Sequence, residues 1–353
     1  MPETPETPES NRKPVTTRDI AAHAGVSNAT VSLALRNHPR ISAATRDRVQ
    51  RAAAELGYRS DPQIAKLMHH LRLQRAPGFQ STLAALTTIP ESDELNYLRD
   101  IIRSAEARAG SLGYAFMKMR LSHEEMEKPS LHRILSSRGV EGLLILPMSG
   151  PVNIEKWIQW KHYSIVAATY AVTAPEFHRV VPHQFGNALR LCRELAALGY
   201  RRLGLVHSEQ HDLAVHHGFA AAVAWQNMLG GTELVRPLIY AGVEPLDLKR
   251  WFKSERPDVI IAPGESEYRM IAERLKLTVP GAVGFAVMDW VGQPDLAGID
   301  EHPSEIGATA VDLLHTKIVN GAFGIPEVPT ITMVSGKWVP GPSAPRAKSQ
   351  SMN

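Results

Sequence analysis

A chain of 353 residues has room for two or three domains and a sizeable buried core. Its 44% apolar and 21% charged residues and net charge of +3 are the make-up of an ordinary water-soluble protein. No apolar run reaches the ~18 residues that a membrane helix needs. The single cysteine, Cys192, excludes an intrachain disulfide and fits a reducing cytoplasm.

Residues 1–13 begin MPETPETPESN, a Pro/Glu/Thr segment with no apolar stretch. It has the character of neither a leader nor a membrane anchor, and its composition predicts disorder. From residue 14 the pattern turns helical. Ile20, Ala21 and Ala24 share one helical face, with Thr16 and Asp19 spaced as a capping box. Gly25 breaks that helix. Ser27 caps a second, short helix with Val31, Ala34 and Leu35 inward. Ile41 and Ser42 open a third, with Val49, Ala53 and Leu56 inward and Gly57 as its stop. Two short helices joined by a tight glycine turn and braced by a third describe a helix-turn-helix over residues 14–60.

The charge agrees. Residues 12–75 carry twelve Lys/Arg against four acids, a local +8, whereas residues 1–11 carry −3 and the remainder about −2. An excess confined to one domain points to a polyanionic partner for that domain.

The run VTTRDIAAHAGVSNATVSLALRNHPRISAATRDRVQRAAAELGY resembles the DNA-binding headpiece of the LacI/GalR family of bacterial transcription regulators. The match is dense, including Asp19-Ile20-Ala21, Ala24-Gly25-Val26-Ser27, Thr30-Val31-Ser32 and Leu56-Gly57-Tyr58. The resemblance implies that the second helix enters the major groove with Asn28, Ala29 and Leu33 towards base edges. Asn28 suits bidentate pairing with adenine; Ala29 and Leu33 offer apolar contact only. Thr16, Thr17, Arg18, Ser27, Thr30, Ser32, Arg36 and Ser42 carry groups suited to phosphate, some of the hydroxyls serving as caps instead. Residues 61–78 fall where the family has a hinge helix and linker. Leu67 stands at the position that family members drive into the minor groove, although Met68-His69-His70 departs from the usual pattern.

Beyond residue 78 strand-like and helical runs alternate. Strands are predicted at 82–88, 114–119, 142–147 and 164–169, with helices at 97–112, 129–137 and 154–160 between them. A second series has helices at 184–198, 215–225, 247–254 and 268–275 and strands at 202–207, 235–240, 259–262 and 283–288. Such alternation implies parallel sheets with right-handed crossovers. Two series imply two doubly wound lobes with a cleft between them. The resemblance continues through residues 136–145 (SSRGVEGLLI), 198–206 (LGYRRLGLV) and 298–300 (GID), covering roughly residues 14–342. It implies an α/β, periplasmic-binding-protein-like core over residues 79–342, assembly as a homodimer or larger, and a loose tail at 343–353.

The cleft is where the sequence leaves the family pattern. The usual motif after the first core strand is replaced by ESDELNY, ending at Tyr97. Val215 occupies the position of a common sugar-clamping arginine. Glu265 follows Gly264 where an Asn-Asp pair is usual, while Asp289 is kept and followed by Trp290. Tyr97, Glu265, Asp289 and Trp290 retain the carboxylates and aromatic platform that a hydroxyl-bearing effector wants, with packing as the competing role for Trp290. His207, His211, His216 and His217 carry no zinc or catalytic spacing, so no metal or cofactor is expected; they read as a cleft lip or plain surface. Cys192 reads as a buried helix residue.

The leading expectation is a cytoplasmic, non-enzymatic DNA-binding repressor. Its palindromic operator is released or held according to a small effector, a sugar being one class that such a site suits. Two alternatives stand beside it: a regulator whose cleft is degenerate or filled by a protein, and a two-lobed sugar-binding protein or enzyme.

Overall fold

In the computed structural model the described residues are 15–35, 37–38, 41–58, 81–93, 96–126, 128–242, 245–279, 281 and 283–347. The chain divides into two compact units, a helical headpiece and a two-lobed core. The hinge segment, Leu67, Arg36 and both chain ends lie outside the described residues.

The headpiece has three helices: α1 (Thr17–Ala24), α2 (Asn28–Leu35) and α3 (Ala43–Glu55). Each starts on a hydroxyl cap. The Thr16 hydroxyl accepts from Asp19 N–H, while the Asp19 carboxylate accepts from Thr16 N–H at 2.7 Å, closing the predicted capping box. Ser27 and Ser42 accept from the N–H groups of Thr30 and Thr45. Gly25 ends α1 at φ +62°, the left-handed conformation that lets the chain double back into α2. A small core of Ile20, Ala24, Val31, Ala34, Val49, Ala52 and Ala53 locks the three helices together.

The core holds two six-stranded sheets. The N lobe is built from β1 (Thr82–Thr87), α4 (Asn96–Ser111), β2 (Ala115–Arg120), a single turn α5 (His123–Met126), α6 (Pro129–Ser137), β3 (Val140–Ile145), β4 (Val152–Asn153), β5 (Ser164–Ala167), β6 (Val172–Ala174) and β7 (His178–Pro182). The C lobe follows with α7 (Gln184–Ala197), β8 (Leu203–Ser208), α8 (Glu209–Ala214), α9 (Gly218–Leu229), β9 (Leu238–Tyr240), α10 (Leu248–Glu255), β10 (Val259–Ala262), α11 (Glu265–Leu275), β11 (Gly284–Val287) and β12 (Ala297–Asp300). The chain returns to the N lobe for α12 (Pro303–Val319) and β13 (Ile331–Val334), then crosses once more to β14 (Lys337–Val339).

The N-lobe order is β13-β7-β5-β3-β1-β2, all parallel. The C-lobe order is β14-β12-β11-β10-β8-β9, with only β14 antiparallel to its neighbour. Central strands such as β1 (TLAALT) and β10 (VIIA) are apolar on both faces because helices cover both faces of a parallel sheet. α12 packs on α4 so closely that a Cβ at Gly307 would lie 2.3 Å from the Ile101 carbonyl oxygen.

Three departures from the sequence reading have local causes. The predicted helix at 154–160 is absent. Ile154, Trp157 and Trp160 are buried as expected, but from turns and a short 3-10 segment, Trp160–His162, with the Trp160 indole N–H donating to Glu155 O at 2.8 Å. The helix predicted from 215 starts at Gly218. His216 and His217 take positive φ, ending α8 and separating it from α9. Strands β6, β7, β13 and β14 are short or rich in polar residues, and periodicity alone did not mark them.

Candidate functional site

Two regions gather chemistry. The first is the outer face of α2. At about 100° per residue, positions 28, 29, 32 and 33 fall on one side of the helix and the buried Val31 and Ala34 on the other. Asn28 and Ala29 are exposed and Leu33 is half-buried. Around them, Thr16, Arg18, Ser27 and Ser42 are exposed, with Thr17, Thr30 and Ser32 half-buried. The Thr16, Ser27 and Ser42 oxygens already accept their cap bonds, and the Ser27 and Thr30 hydroxyls share a hydrogen bond of 2.8 Å. Arg46 is structural, donating to the Ile41 carbonyl at 3.1 Å beside α2.

The second region is the cleft at the carboxyl ends of both sheets, the place where open parallel sheets hold ligands. Three segments cross between the lobes, at 183, 301–302 and 335–336, and side chains and backbone knit them together. His183 N–H donates to Val334 O at 2.9 Å, Gly336 N–H donates to Asn187 Oδ1 at 2.7 Å, and Asn187 Nδ2 donates to Glu301 Oε1 at 3.2 Å. Glu301 is 2% exposed and also hydrogen-bonds Asp289, at the end of β11. Burial, and then the neighbouring Glu267, push Asp289 up to about 7. Burial first and Asp289 second raise Glu301 well above the usual carboxylate range. Tyr97, at the start of α4, is close enough that Glu301 and Asp289 add to the effect of burial in raising its phenol. Two contacts span the cleft elsewhere: Gln210 Nε2 donates to Ser149 O at 2.8 Å, and the Tyr170 and His216 rings stack at 4.6 Å.

The sequence-assigned cleft residues separate into two groups. Tyr97 and Asp289 meet. Val215 does not join them: it is buried in the C-lobe core against Leu203, Leu205 and Phe219, because the preceding helix α8 turns it inward. Glu265 is held by Arg269 Nε at 2.9 Å on the first turn of α11. The Trp290 indole N–H donates to Gln293 O and Leu296 O, and its ring packs on the C-lobe core, so packing occupies most of this residue. One face still borders an open cavity of about 590 Å³ that also touches Asp100, Asp300, His302 and Glu305. His207, expected at a lip or on the surface, is fully buried beside Asp212, and burial drives its imidazole down to about 4. Cys192 is buried as expected, and burial pushes its thiol up to about 12. Among the described residues no group of three His, Cys, Asp or Glu is arranged to hold a metal ion, and no helix is long and apolar enough to cross a membrane.

Sequence reasoning missed Glu301, Glu267 and Asn187. Glu301 directly follows the GID segment of the family resemblance, and that placement was the available signal. Asn187 carried none, since its role depends on two segments more than a hundred residues away.

A three-helix headpiece of this kind, followed by two parallel-sheet lobes joined by three crossings, is the fold of a helix-turn-helix domain on a periplasmic-binding-protein-like core, as found in solved bacterial regulators. Residues 16–61 match the model for bacterial regulatory proteins, lacI family. Over 202 residues the chain is 25% identical to the HTH-type transcriptional repressor CytR of Escherichia coli (strain K12), covering 57% of this chain and 56% of that protein. Over 197 residues it is 29% identical to the lactose operon repressor of the same organism, covering 55% of this chain and 51% of that protein. The chain thus spans about half the length of these curated relatives, both of which are repressors. Among solved structures it resembles a transcriptional regulator CelR-cellobiose complex, with 18% identity, TM-score 0.60, and coverage of 93% of this chain and 99% of that one. It also resembles the Lac repressor dimer bound to operator and the anti-inducer ONPF, with 20% identity, TM-score 0.56, and coverage of 94% and 100%. The lacI-family match is thus confined to the headpiece, and the core shares its fold with these regulators.

Proposed function

We propose that this protein is a cytoplasmic transcriptional repressor that binds a palindromic operator as a homodimer or larger assembly and reads a small effector in its cleft. The observation that carries the reading is the outward side of α2, with Asn28 and Ala29 exposed, on a three-helix headpiece with its own core. Asn28, Ala29 and Leu33 are held outward by a core that leaves α2 no freedom to turn them away. Asn28 reads one base, while Ala29 and Leu33 supply apolar contact. Thr16, Thr17, Arg18, Ser27, Thr30, Ser32, Arg36 and Ser42 form the phosphate contacts, and Leu67 of the 61–78 hinge is the minor-groove wedge.

The effector lies between the lobes of the 79–342 core against Tyr97 and Asp289, with Trp290 and Glu265 at the margin. The cellobiose held by one structural neighbour supports a sugar as its class, and the operator-bound dimer of another supports binding in pairs. Ligand couples to DNA by favouring one arrangement of the crossings, and the response is limited to its preference for one state over the other.

The test is a salt titration of binding to a palindromic duplex taken from beside the protein's own gene. Several phosphate contacts per headpiece give a steep fall in affinity with salt, and scrambled duplex binds far more weakly. A flat salt response, or equal affinity for scrambled DNA, would overturn the repressor reading.

A further inference from the structure

The part of the cleft around Asp289 has an unbalanced charge. Four elements deliver carboxyl groups to it: Asp289 from the end of β11, Glu301 from the second crossing, Asp300 from the end of β12 and Glu267 from the first turn of α11. Among the described residues the groups that act on the Asp289–Glu301 pair are Glu267, Asp300, Asn187 and Tyr97, and none of them is a cation. Two histidines approach these acids: His302 on the second crossing, whose Nδ1 lies 3.3 Å from Asp300 Oδ2, and His211 on α8, which faces Glu267. The His211 Nε2 is buried and has no hydrogen-bond partner. Burial keeps its ring neutral, so it offers a lone pair or an N–H rather than a balancing charge. Glu301 is closed off from solvent, but Asp289 and Tyr97 are only part-buried and can be reached. The adjoining cavity is also acid-rich: Asp100, Asp300 and Glu305 line it beside His302, with the Trp290 ring as one wall and neither Lys nor Arg in the lining.

Buried carboxylates without a cation keep a proton or recruit a positive partner. We propose that the effector carries a protonated amine, which docks on the Asp289–Glu301 pair between Glu267 and Tyr97. The inference rests on the cleft being an effector site and names the chemical class it selects. The ammonium donates to Asp289, and the tyrosine and tryptophan rings suit an adjacent cation. The proton that the two acids hold in the empty cleft leaves to solvent as the ammonium arrives, so charge is conserved. A neutral polyol cannot displace that proton.

The experiment uses the full-length protein and calorimetry with matched probes: glucosamine and galactosamine against glucose and galactose, and putrescine against 1,4-butanediol. At least one amine should bind more than about tenfold tighter than its neutral match. At pH 7, runs in phosphate and Tris should reveal proton release, and affinity should weaken as pH falls below about 7. E301Q, checked for a cooperative melting transition, should lose the proton release and the amine preference. D289N provides the same readout if E301Q does not fold.

Neutral probes that bind as well as the amines, with D289N abolishing both, would overturn the cation inference and leave the effector site standing. Amine binding without proton release, or unaffected by either variant, would place it elsewhere on the protein and overturn the inference. No binding by any probe would overturn the inference, while DNA affinity, measured separately, decides the repressor reading.

Discussion

Replacing Asp289 by asparagine removes one ionisable group from the acid pair while keeping its shape. In the folded protein this carboxyl titrates at about 7 rather than at its ordinary 3.8, chiefly through burial. Between those two values the native state holds a proton that the unfolded chain has released. Stability therefore falls as pH rises through that window, and the full penalty applies above about 7. The interval corresponds to about 4 kcal/mol at about 1.4 kcal/mol per pH unit. Water reaching the part-exposed side chain and proton sharing with Glu301 reduce that ceiling, giving an expected gain of about 2 kcal/mol for D289N at pH 8.5. In melting terms the gain is about 4–6 °C for a core of this size. The introduced amide also donates to Glu301, which lets Glu301 ionise at lower cost. Ligand-free protein and variant should be melted by calorimetry at pH 4, 5.5, 7 and 8.5. The two should coincide near pH 4, with D289N gaining steadily until about pH 8. A difference independent of pH, or a variant less stable at pH 8.5, would refute the assignment of the pair as a destabilising, proton-holding contact.

Three further perturbations test other parts of the molecule. Asn28→Ala should cost about 1–3 kcal/mol on the preferred operator and little on a duplex changed at one symmetric base pair; competition binding with single-substituted operators checks this, and equal losses on scrambled DNA would contradict base reading. Gly25→Ala should destabilise the headpiece by about 1–2 kcal/mol through its positive φ alone, since nothing lies within 4 Å of the added methyl; hydrogen exchange of α1–α3 amides reads the loss, and Gly25→Asn should recover part of it. Asn187→Ala should cost about 1–3 kcal/mol in core stability because it strips partners from Gly336 N–H and the buried Glu301 at once. A melting point unchanged by that substitution would show that the crossings are held by other contacts.

The headpiece was legible because its information is local. Caps, the glycine turn and the inward residues of α1 to α3 all lie within about four residues of the groups they serve, the reach of a helical turn. Most core strands were legible for a related reason: a strand buried on both faces reads as an apolar run, as in TLAALT and VIIA. The exceptions follow the same logic. Residues 154–160 carry an apolar pattern that a helix and a buried irregular turn satisfy equally, and only the pocket that Trp157 and Trp160 fill decides between them.

The cleft required the tertiary structure, since its chemistry comes from residues far apart in the chain. Val215 and Asp289 both stand at effector positions of the family pattern, yet α8 rotates Val215 into the core while the end of β11 delivers Asp289 to Glu301. Trp290 and Glu265 could be located from sequence, but the partners that occupy them could not. Sequence alone determined the fold class, the boundaries of most elements and the outward face of α2, because each depends on spacing along a single element. The acid pair, its raised titration and the Asn187 link between crossings were decided only by folding, because burial and charge proximity are properties of segments brought together in space.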